Sequence, residues 1–569
     1  MNDTALRAGD GPPPRTNPPT RRLRAALAVL LCALGLLFAA SPLASADSPS
    51  AGNDVQVAQT LGDRELTVIL RRVTGVPGPL HVDVITHTGT AAGRIRLGAV
   101  PTGVATSSSA GSSSGTTTDT AVVTLGASPG TYSAQLEVDE VGPWQLTLDD
   151  GTRTAAIPFV VSKQVTSPDE KAVYGGFIGA GLLIPVTVLV AVRARRGWWA
   201  VVPAGGIVAG LAVAVTGAIL SATLPLPASQ GGQVDATIDG VKNPYSSVGQ
   251  QTSDYSREPA TLGIRSSSVR AGTVDDLTFS VTDTSTGLPV DDIVVHDGAL
   301  VHLIVIGPSG QLWHLHPVMT GAGTYEVPLT LPEAGHYAVS AEFARRGGGV
   351  QLVRSATGID AANGTDSGTG SGSASGSASA SASASGSASA SASGSAGAAS
   401  TAVAAVHSGP GTQTVDGVRV RLTASSLVAG KAAVLTARVG GDATLQPWLG
   451  MLGHMIVAGP VPSSGTAVGQ AAQNAEVWAH SHSMGAVSDD MAGMDMNSST
   501  DMSSMSGLTS VNGDSTADET VAAYGPDISF VYTFPKAGSY RIWIQAERDD
   551  TILTVPYLIQ VTGATGSTG

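Results

Sequence analysis

The chain has 569 residues, of which 71 are Gly, 32 are Pro, 4% are aromatic and 13% are charged, about half the charge density of an ordinary soluble domain. Its one cysteine, Cys32, lies in an N-terminal apolar run, which excludes disulfides, thiolate zinc sites and cysteine nucleophiles from the rest of the chain. A net charge of −14 argues against nucleic acid as a partner.

At the N-terminus, Arg21, Arg22 and Arg24 precede an apolar run from Ala25 to Ala40, and Ala44-Ser45-Ala46 follows a break at Ser41-Pro42. This pattern predicts a secretory signal peptide over 1–46. Arg21-Arg22 also fits twin-arginine export, although Arg24 and Ala25 stand where that signal carries apolar bulk. Leu31 before Cys32 is too large for a lipoprotein signal.

Residues 47–165 read as an extracytoplasmic β-sandwich. Short β-branched segments recur at Leu66–Leu70, His81–Thr86, Ala121–Leu125, Tyr132–Val138, Trp144–Leu148 and Ala156–Val161, mostly separated by Gly, Pro, Asp or Ser as in an Ig-like domain. His81 and His87 lack a third histidine partner nearby and are read as structural.

The segment 173–224 predicts a transmembrane helical hairpin. Val173 to Val192 and Trp198 to Leu224 are uncharged apolar runs, each long enough to span a bilayer core of about 30 Å. Arg193, Arg195 and Arg196 between them place the turn in the cytoplasm by the positive-inside rule. Both flanking regions are then extracytoplasmic, in a multi-pass cell-membrane protein.

Residues 363–400 are almost pure Ser, Ala and Gly and predict a flexible linker with a reach of about 30 to 37 Å, so that its flanking domains move independently. Those domains, 258–360 and 415–562, are copies of one unit. The first carries Gly298-x-x-x-His302 with Gly307-Pro308, then Trp313-His314-Leu315-His316-Pro317, then Pro332-x-Ala334-Gly335-x-Tyr337. The second repeats these blocks as Gly450-x-x-x-His454 with Gly459-Pro460, Trp478-Ala479-His480-Ser481-His482, and Pro535-x-Ala537-Gly538-x-Tyr540.

In a strand, residues two apart share a face, so His314 projects with His316 and His480 with His482. The Gly-Pro turns bring His302 and His454 beside these pairs, giving three imidazoles per copy, a donor set suited to divalent copper or zinc. The bland alternative is a pair of polar rim residues beside a core histidine. The second copy also contains an insertion with Met484, Met491, Met494, Met496, Met502 and Met505. Their thioethers suit Cu(I) or Ag(I), against the alternative of a disordered loop.

The Gly-x-x-x-His, His-x-His and Pro-x-Ala-Gly-x-Tyr blocks resemble a module of uncharacterised bacterial exported proteins, similar in outline to cupredoxin-like and periplasmic copper-resistance sandwiches. The second copy lacks the proline that follows His316 in the first. The resemblance implies copper binding; without a cysteine ligand, it does not extend to blue-copper electron transfer.

The sequence therefore predicts a mainly β protein with three Ig-like or cupredoxin-like sandwiches and a two-helix membrane hairpin. The expected function is non-enzymatic metal binding, with copper first and zinc or silver as alternatives. Expected partners are the lipid bilayer, the metal ion and another exported copper protein. The alternative is an envelope sensor or scaffold with incidental histidines.

Overall fold

A computed structural model describes residues 54–102, 119–161, 168–223, 259–363, 406–483 and 519–563, except 72, 74, 266–268, 346–348, 463 and 464. The expected signal peptide over 1–46, nearly all of the Ser/Ala/Gly segment and all six methionines of the insertion lie outside these residues. The chain forms two compact units, one containing 165–226 and the other containing 51–164 and 227–569.

The first of these units holds two helices, Pro168–Arg193 and Val201–Thr223, joined through a short 3₁₀ turn at Gly197–Ala200. Both are long and apolar enough to cross a membrane. Large apolar side chains such as Leu182, Leu189, Val208 and Ile219 are exposed along them, as expected of surfaces that contact lipid. The helices approach closely at Gly176 and Gly210: a Cβ on Gly176 would lie 2.5 Å from the Gly210 carbonyl oxygen. Small residues at this crossing let the backbones meet.

In the other unit, the N-terminal sandwich is built from two four-stranded sheets. One runs Val55–Leu61, Arg64–Leu70, Gly78–Thr86, Gly130–Val138; the other runs Asp119–Leu125, Gly93–Pro101, Gly142–Asp149, Thr154–Val161. Trp144, Leu146 and Leu148 alternate into the core opposite Val68, Val82 and Val84, which is the period-2 pattern of a half-buried sheet. Two of these strands are additional to the six segments expected. Val55–Leu61 is hard to read because it buries the polar residues Gln56, Gln59 and Thr60. Two of them reach other parts of the chain: Gln56 Nε2 donates to Glu519 Oε1 at 2.6 Å, and Thr60 Oγ1 accepts the His316 amide at 2.9 Å.

Each repeat also forms two sheets, and their strand orders correspond. The five-strand path of the first repeat is Val269–Arg270, Ile359–Ala362, Gly335–Arg345, His302–Ile306, Leu312–Leu315; that of the second is His407–Ser408, Thr551–Val561, Gly538–Arg548, His454–Gly459, Val477–His482. Both begin with a parallel pair and continue antiparallel. The opposing sheets are Val318–Gly321, Thr324–Thr330, Val274–Asp283, Ala260–Ile264 and Thr412–Val415, Val418–Ala424, Ala432–Val439, Asp527–Thr533.

The recurring sequence blocks interlock physically. A Cβ on Gly307 would lie 2.9 Å from the Tyr337 ring, and one on Gly459 would strike the Tyr540 ring. Gly335 and Gly538 adopt φ of 142° and 143° against the rings of Pro308 and Pro460, a conformation open to glycine. Tyr337 and Tyr540 donate their hydroxyls to the carbonyls of Glu333 and Lys536 at 2.7 and 2.8 Å. The Gly-Pro block and the Ala-Gly-x-Tyr block are thus two halves of one packing unit, which is why they travel together.

The two repeats pack against one another. Ile304, Ile306, Leu312 and Ala338 of the first form one apolar cluster with Ile456, Ala458, Val468, Ala472 and Trp543 of the second. Trp543 Nε1 donates to the Gly310 carbonyl at 3.0 Å. The expectation of independently moving domains is replaced by a shared interface, since each repeat has an apolar sheet face that its own core does not cover.

Candidate metal centre

The burial of the motif histidines follows from this packing. In the strand His302–Ile306, Leu303 and Val305 point into the sandwich core, while His302 shares the opposite face with Ile304 and Ile306, toward the other repeat. His314 lies opposite Ile304 on the paired strand. In the second repeat, Met455 and Val457 face the core, His454 shares a face with Ile456 and Ala458, and His480 lies opposite Ile456. On this face the apolar residues of both repeats pack together beside the histidines.

All six expected histidines meet there in one cluster. His302, His314, His316 and His454 are fully buried; the side chains of His480 and His482 are 1% and 17% exposed. Ring centroids lie 5.0–5.3 Å apart within the first set and 4.5–5.4 Å apart within the second. Across the sets, His314 is 4.8 Å from His480 and 5.3 Å from His454. The sequence reading placed a separate three-His site in each copy. The structure merges them.

The hydrogen bonds determine which nitrogens point inward. His302 Nε2 lies 3.1 Å from the His296 carbonyl oxygen; a carbonyl only accepts, so Nε2 carries the proton and Nδ1 presents its lone pair. His314 Nδ1 donates to Gln545 Oε1 at 2.9 Å, and the Gln545 amide is itself oriented by Nε2 donating to Thr554 Oγ1 at 2.9 Å. His314 Nε2 therefore also presents a lone pair, and it faces His302 Nδ1 at 3.1 Å. Two lone pairs facing each other across that distance repel unless a cation or proton lies between them.

His316 completes the set. Its Nδ1 donates to Glu65 Oε1, and its Nε2 is buried with no hydrogen-bond partner. Thr60 supports this end: its hydroxyl donates to Glu65 Oε2 at 2.5 Å and accepts the His316 amide at 2.9 Å. Ligand atoms of His302, His314 and His316 all lie within 4.8 Å of one another.

The second set repeats these nitrogen roles, but its ligand atoms group across the repeats: those of His454 and His480 lie within 4.8 Å of one another and of His314, and those of His480 and His482 within 4.8 Å of one another and of Glu342. His454 Nε2 donates to the Trp448 carbonyl at 3.4 Å, and its Nδ1 faces His480 Nε2 at 3.2 Å. His480 Nδ1 pairs with Glu342 Oε1 at 3.2 Å and His482 Nδ1 with Asp297 Oδ2 at 3.0 Å. His482 Nε2 is buried and unpartnered, like His316 Nε2. The outer partners are exchanged between repeats: Gln545 of the second orients His314 of the first, and Glu342 of the first orients His480 of the second.

Burial, reinforced by the charges neighbouring imidazoles would carry, pushes His302, His314, His454 and His480 well below the ordinary imidazole pKa. They are neutral and ready to ligate near pH 7. Burial would raise the Asp297 carboxyl, but hydrogen bonds from His296 and His482 outweigh it and hold the group far below the usual carboxylate range. Burial raises Glu342 against the opposing influence of His302, His482 and His296.

The centre fits a divalent metal on chemical grounds: inward lone pairs, outer N–H groups anchored on carbonyl, amide or carboxylate oxygens, and an orphaned buried nitrogen. Two nitrogens bound to one tetrahedral ion at about 2.0–2.1 Å stand about 3.3 Å apart, close to the spacings of 3.1 and 3.2 Å in the two sets. Outer partners absent from the sequence reading are Glu65, Asp297, Glu342 and Gln545. Glu342 and Gln545 carried a signal, since they occupy equivalent positions opposite His302 and His454.

A second buried polar cluster lies where the first sandwich meets the second repeat. His87 Nδ1 pairs with Glu547 Oε1 at 2.7 Å, supplying the partner the sequence did not reveal. Burial alone would depress His87, but the charge and hydrogen bond of Glu547 push it up to about 9. Burial pushes Glu519 up to about 7 against the opposing charge of His87.

The family described as "Domain of unknown function (DUF8832)" matches residues 257–358 and 472–563, which cover most of the first repeat and the C-terminal part of the second. No curated protein matches the sequence. Similar solved structures include a tetra-tandem repeat from the extending region of a large adhesion protein, at 10% identity and TM-score 0.14, covering 90% of this chain and 73% of that one. Invasin, a bacterial integrin-binding protein, is 9% identical with TM-score 0.13, over 88% of this chain and 60% of that one. The Escherichia coli adhesin FdeC is 10% identical with TM-score 0.12, over 90% of this chain and 99% of that one.

Proposed function

We propose that the chain is a membrane-anchored, extracytoplasmic metal-binding protein that holds copper, or alternatively zinc, for sequestration or for delivery to another exported protein. The observation that carries this reading is the pair of facing lone pairs at His302 Nδ1 and His314 Nε2, 3.1 Å apart beside the orphaned His316 Nε2. An all-imidazole set suits Cu(II) or Zn(II). The two apolar helices support membrane attachment, and partial exposure of His482 offers a point of exchange with solvent. Deep burial of the other ligands favours holding over catalysis.

The test uses the detergent-solubilised full chain, because Glu65 and Gln545 lie outside the first repeat. After incubation with Cu(II) or Zn(II) and dialysis, the protein should retain metal, and His302→Gln with His314→Gln should lower the amount. Equal retention by the variant would contradict the reading. For location, Thr562→Cys should react with a membrane-impermeant maleimide on intact cells; reaction only after lysis would overturn the extracytoplasmic placement.

A further inference from the structure

We infer that the cluster is a two-metal centre, one ion on His302, His314 and His316 and a second on His454, His480 and His482. This rests on the metal-binding reading above and deepens it. The argument is that each set is complete in itself. Each has one pair of lone pairs face to face, at 3.1 Å for His302 and His314 and at 3.2 Å for His454 and His480. Each also has a third imidazole whose Nε2 is buried and unpartnered, His316 in one and His482 in the other.

Each set is of a size to hold one ion; because His302 and His314 stand at similar distances from His480, 5.1 and 4.8 Å, it is the repeated nitrogen roles, not the spacing alone, that assign one ion to each set. Three imidazoles on a tetrahedral metal, with nitrogens at about 2.0–2.1 Å, place their ring centroids about 5.2 Å apart. The centroid separations are 5.0–5.3 Å in the first set and 4.5–5.4 Å in the second. A single four-coordinate ion would leave at least two of the six inward nitrogens buried without a partner, which is unfavourable. Two ions satisfy all six.

The anchoring of the outer nitrogens is also double. His296 O, Gln545 and Glu65 hold the first set, while Trp448 O, Glu342 and Asp297 hold the second. Each set thus has three anchors of its own, fixing the tautomers of both independently of whether the other is filled. The ligand class is a divalent first-row cation with affinity for imidazole, Cu(II) or Zn(II). Each repeat supplies one set of ligands and an outer partner for the other, so loading both sites clamps the two repeats together.

The full chain in detergent, titrated with Cu(II) and freed of excess metal, should hold two coppers. Its electron paramagnetic resonance should show spin coupling, either a half-field signal or an integrated intensity well below two spins. His480→Gln with His482→Gln should hold one copper and give an isolated, uncoupled signal. One copper per wild-type chain with an uncoupled signal would overturn the two-metal centre and leave the metal-binding reading standing. No retained copper would overturn both. The wild-type measurement decides even if the variant does not fold.

Discussion

The two histidine sets share one plan but differ in their surroundings. The first is fully buried and takes its outer partners from a carbonyl, the Gln545 amide and the Glu65 carboxylate of the N-terminal sandwich. The second leaves His482 17% exposed and takes its partners from a carbonyl and two carboxylates, Glu342 and Asp297. A carboxylate makes an imidazole a more basic ligand than an amide does. On the two-metal proposal, the first set is expected to retain its ion and the second to donate more strongly beside solvent, so the two sites are expected to differ in exchange.

The largest expected effect is metal-dependent stability. At a free metal concentration about 1,000 times the dissociation constant, one site adds about 4 kcal/mol to folding stability. Thermal unfolding of the full chain should move up accordingly with Zn(II). His314→Gln with His316→Gln should remove the contribution of the first set and leave that of the second. Loss of the entire increment in this variant would show that the sets do not act separately.

The N-terminal sandwich touches both repeats, through Glu65 at His316 and through His87 at Glu547, and its second contact is sensitive to pH. His87 has a raised folded-state pKa of about 9 against 6.5, so its stabilisation is fully present below about 6.5 and is lost as pH climbs through about 9. The full effect is roughly 3 kcal/mol. Glu519, raised to about 7 from 4.5, adds a loss of the same sign between those two values. Below about pH 6.5 the four buried imidazoles with lowered pKa act in the opposite sense, gaining stability as pH rises, so the urea midpoints of metal-free protein should fall on the alkaline side, between about pH 7 and 9, and subtracting the curve of His87→Gln should isolate that part. Parallel curves for the two proteins would remove His87 from the account.

The outer partners sharpen the comparison further. Gln545→Ala should weaken metal binding at the first set, and Glu342→Ala at the second, each by about 10- to 100-fold. Gln545→Glu should bring the first set closer to the second. Competition titrations with a chromogenic chelator measure these changes, and equal affinities across all three variants would deny the outer partners any role. The smallest effect is expected at the packing motif: Tyr540→Phe loses its hydrogen bond to the Lys536 carbonyl, at about 1 kcal/mol, with metal affinity unchanged.

The sequence made the six clustered histidines visible because their spacing recurs: Gly-x-x-x-His and His-x-His stand in order on either side of the Ser/Ala/Gly segment. It also showed the β-rich modules and the two apolar helices. It did not show that the sets face each other, since the apolar residues that bring them together, Ile304, Ile306, Ile456 and Ala458, read the same in a strand buried by its own core. Gln545 and Glu342 were half legible, as long polar residues at equivalent places in apolar strands. Glu65 reaches His316 across 251 residues, a separation no local pattern records. The carbonyls of His296 and Trp448 act through the backbone, which leaves no side-chain signature. The strand Val55–Leu61 was hidden for a related reason: its buried Gln56 and Thr60 make sense only beside Glu519 and His316 in the repeats.

X-ray absorption spectroscopy of the zinc-loaded full chain tests the central claim most directly. The account predicts a first shell dominated by nitrogen at about 2.0–2.1 Å, with the outer-shell scattering of several imidazoles per zinc. A first shell of oxygen alone, without imidazole scattering, would contradict it.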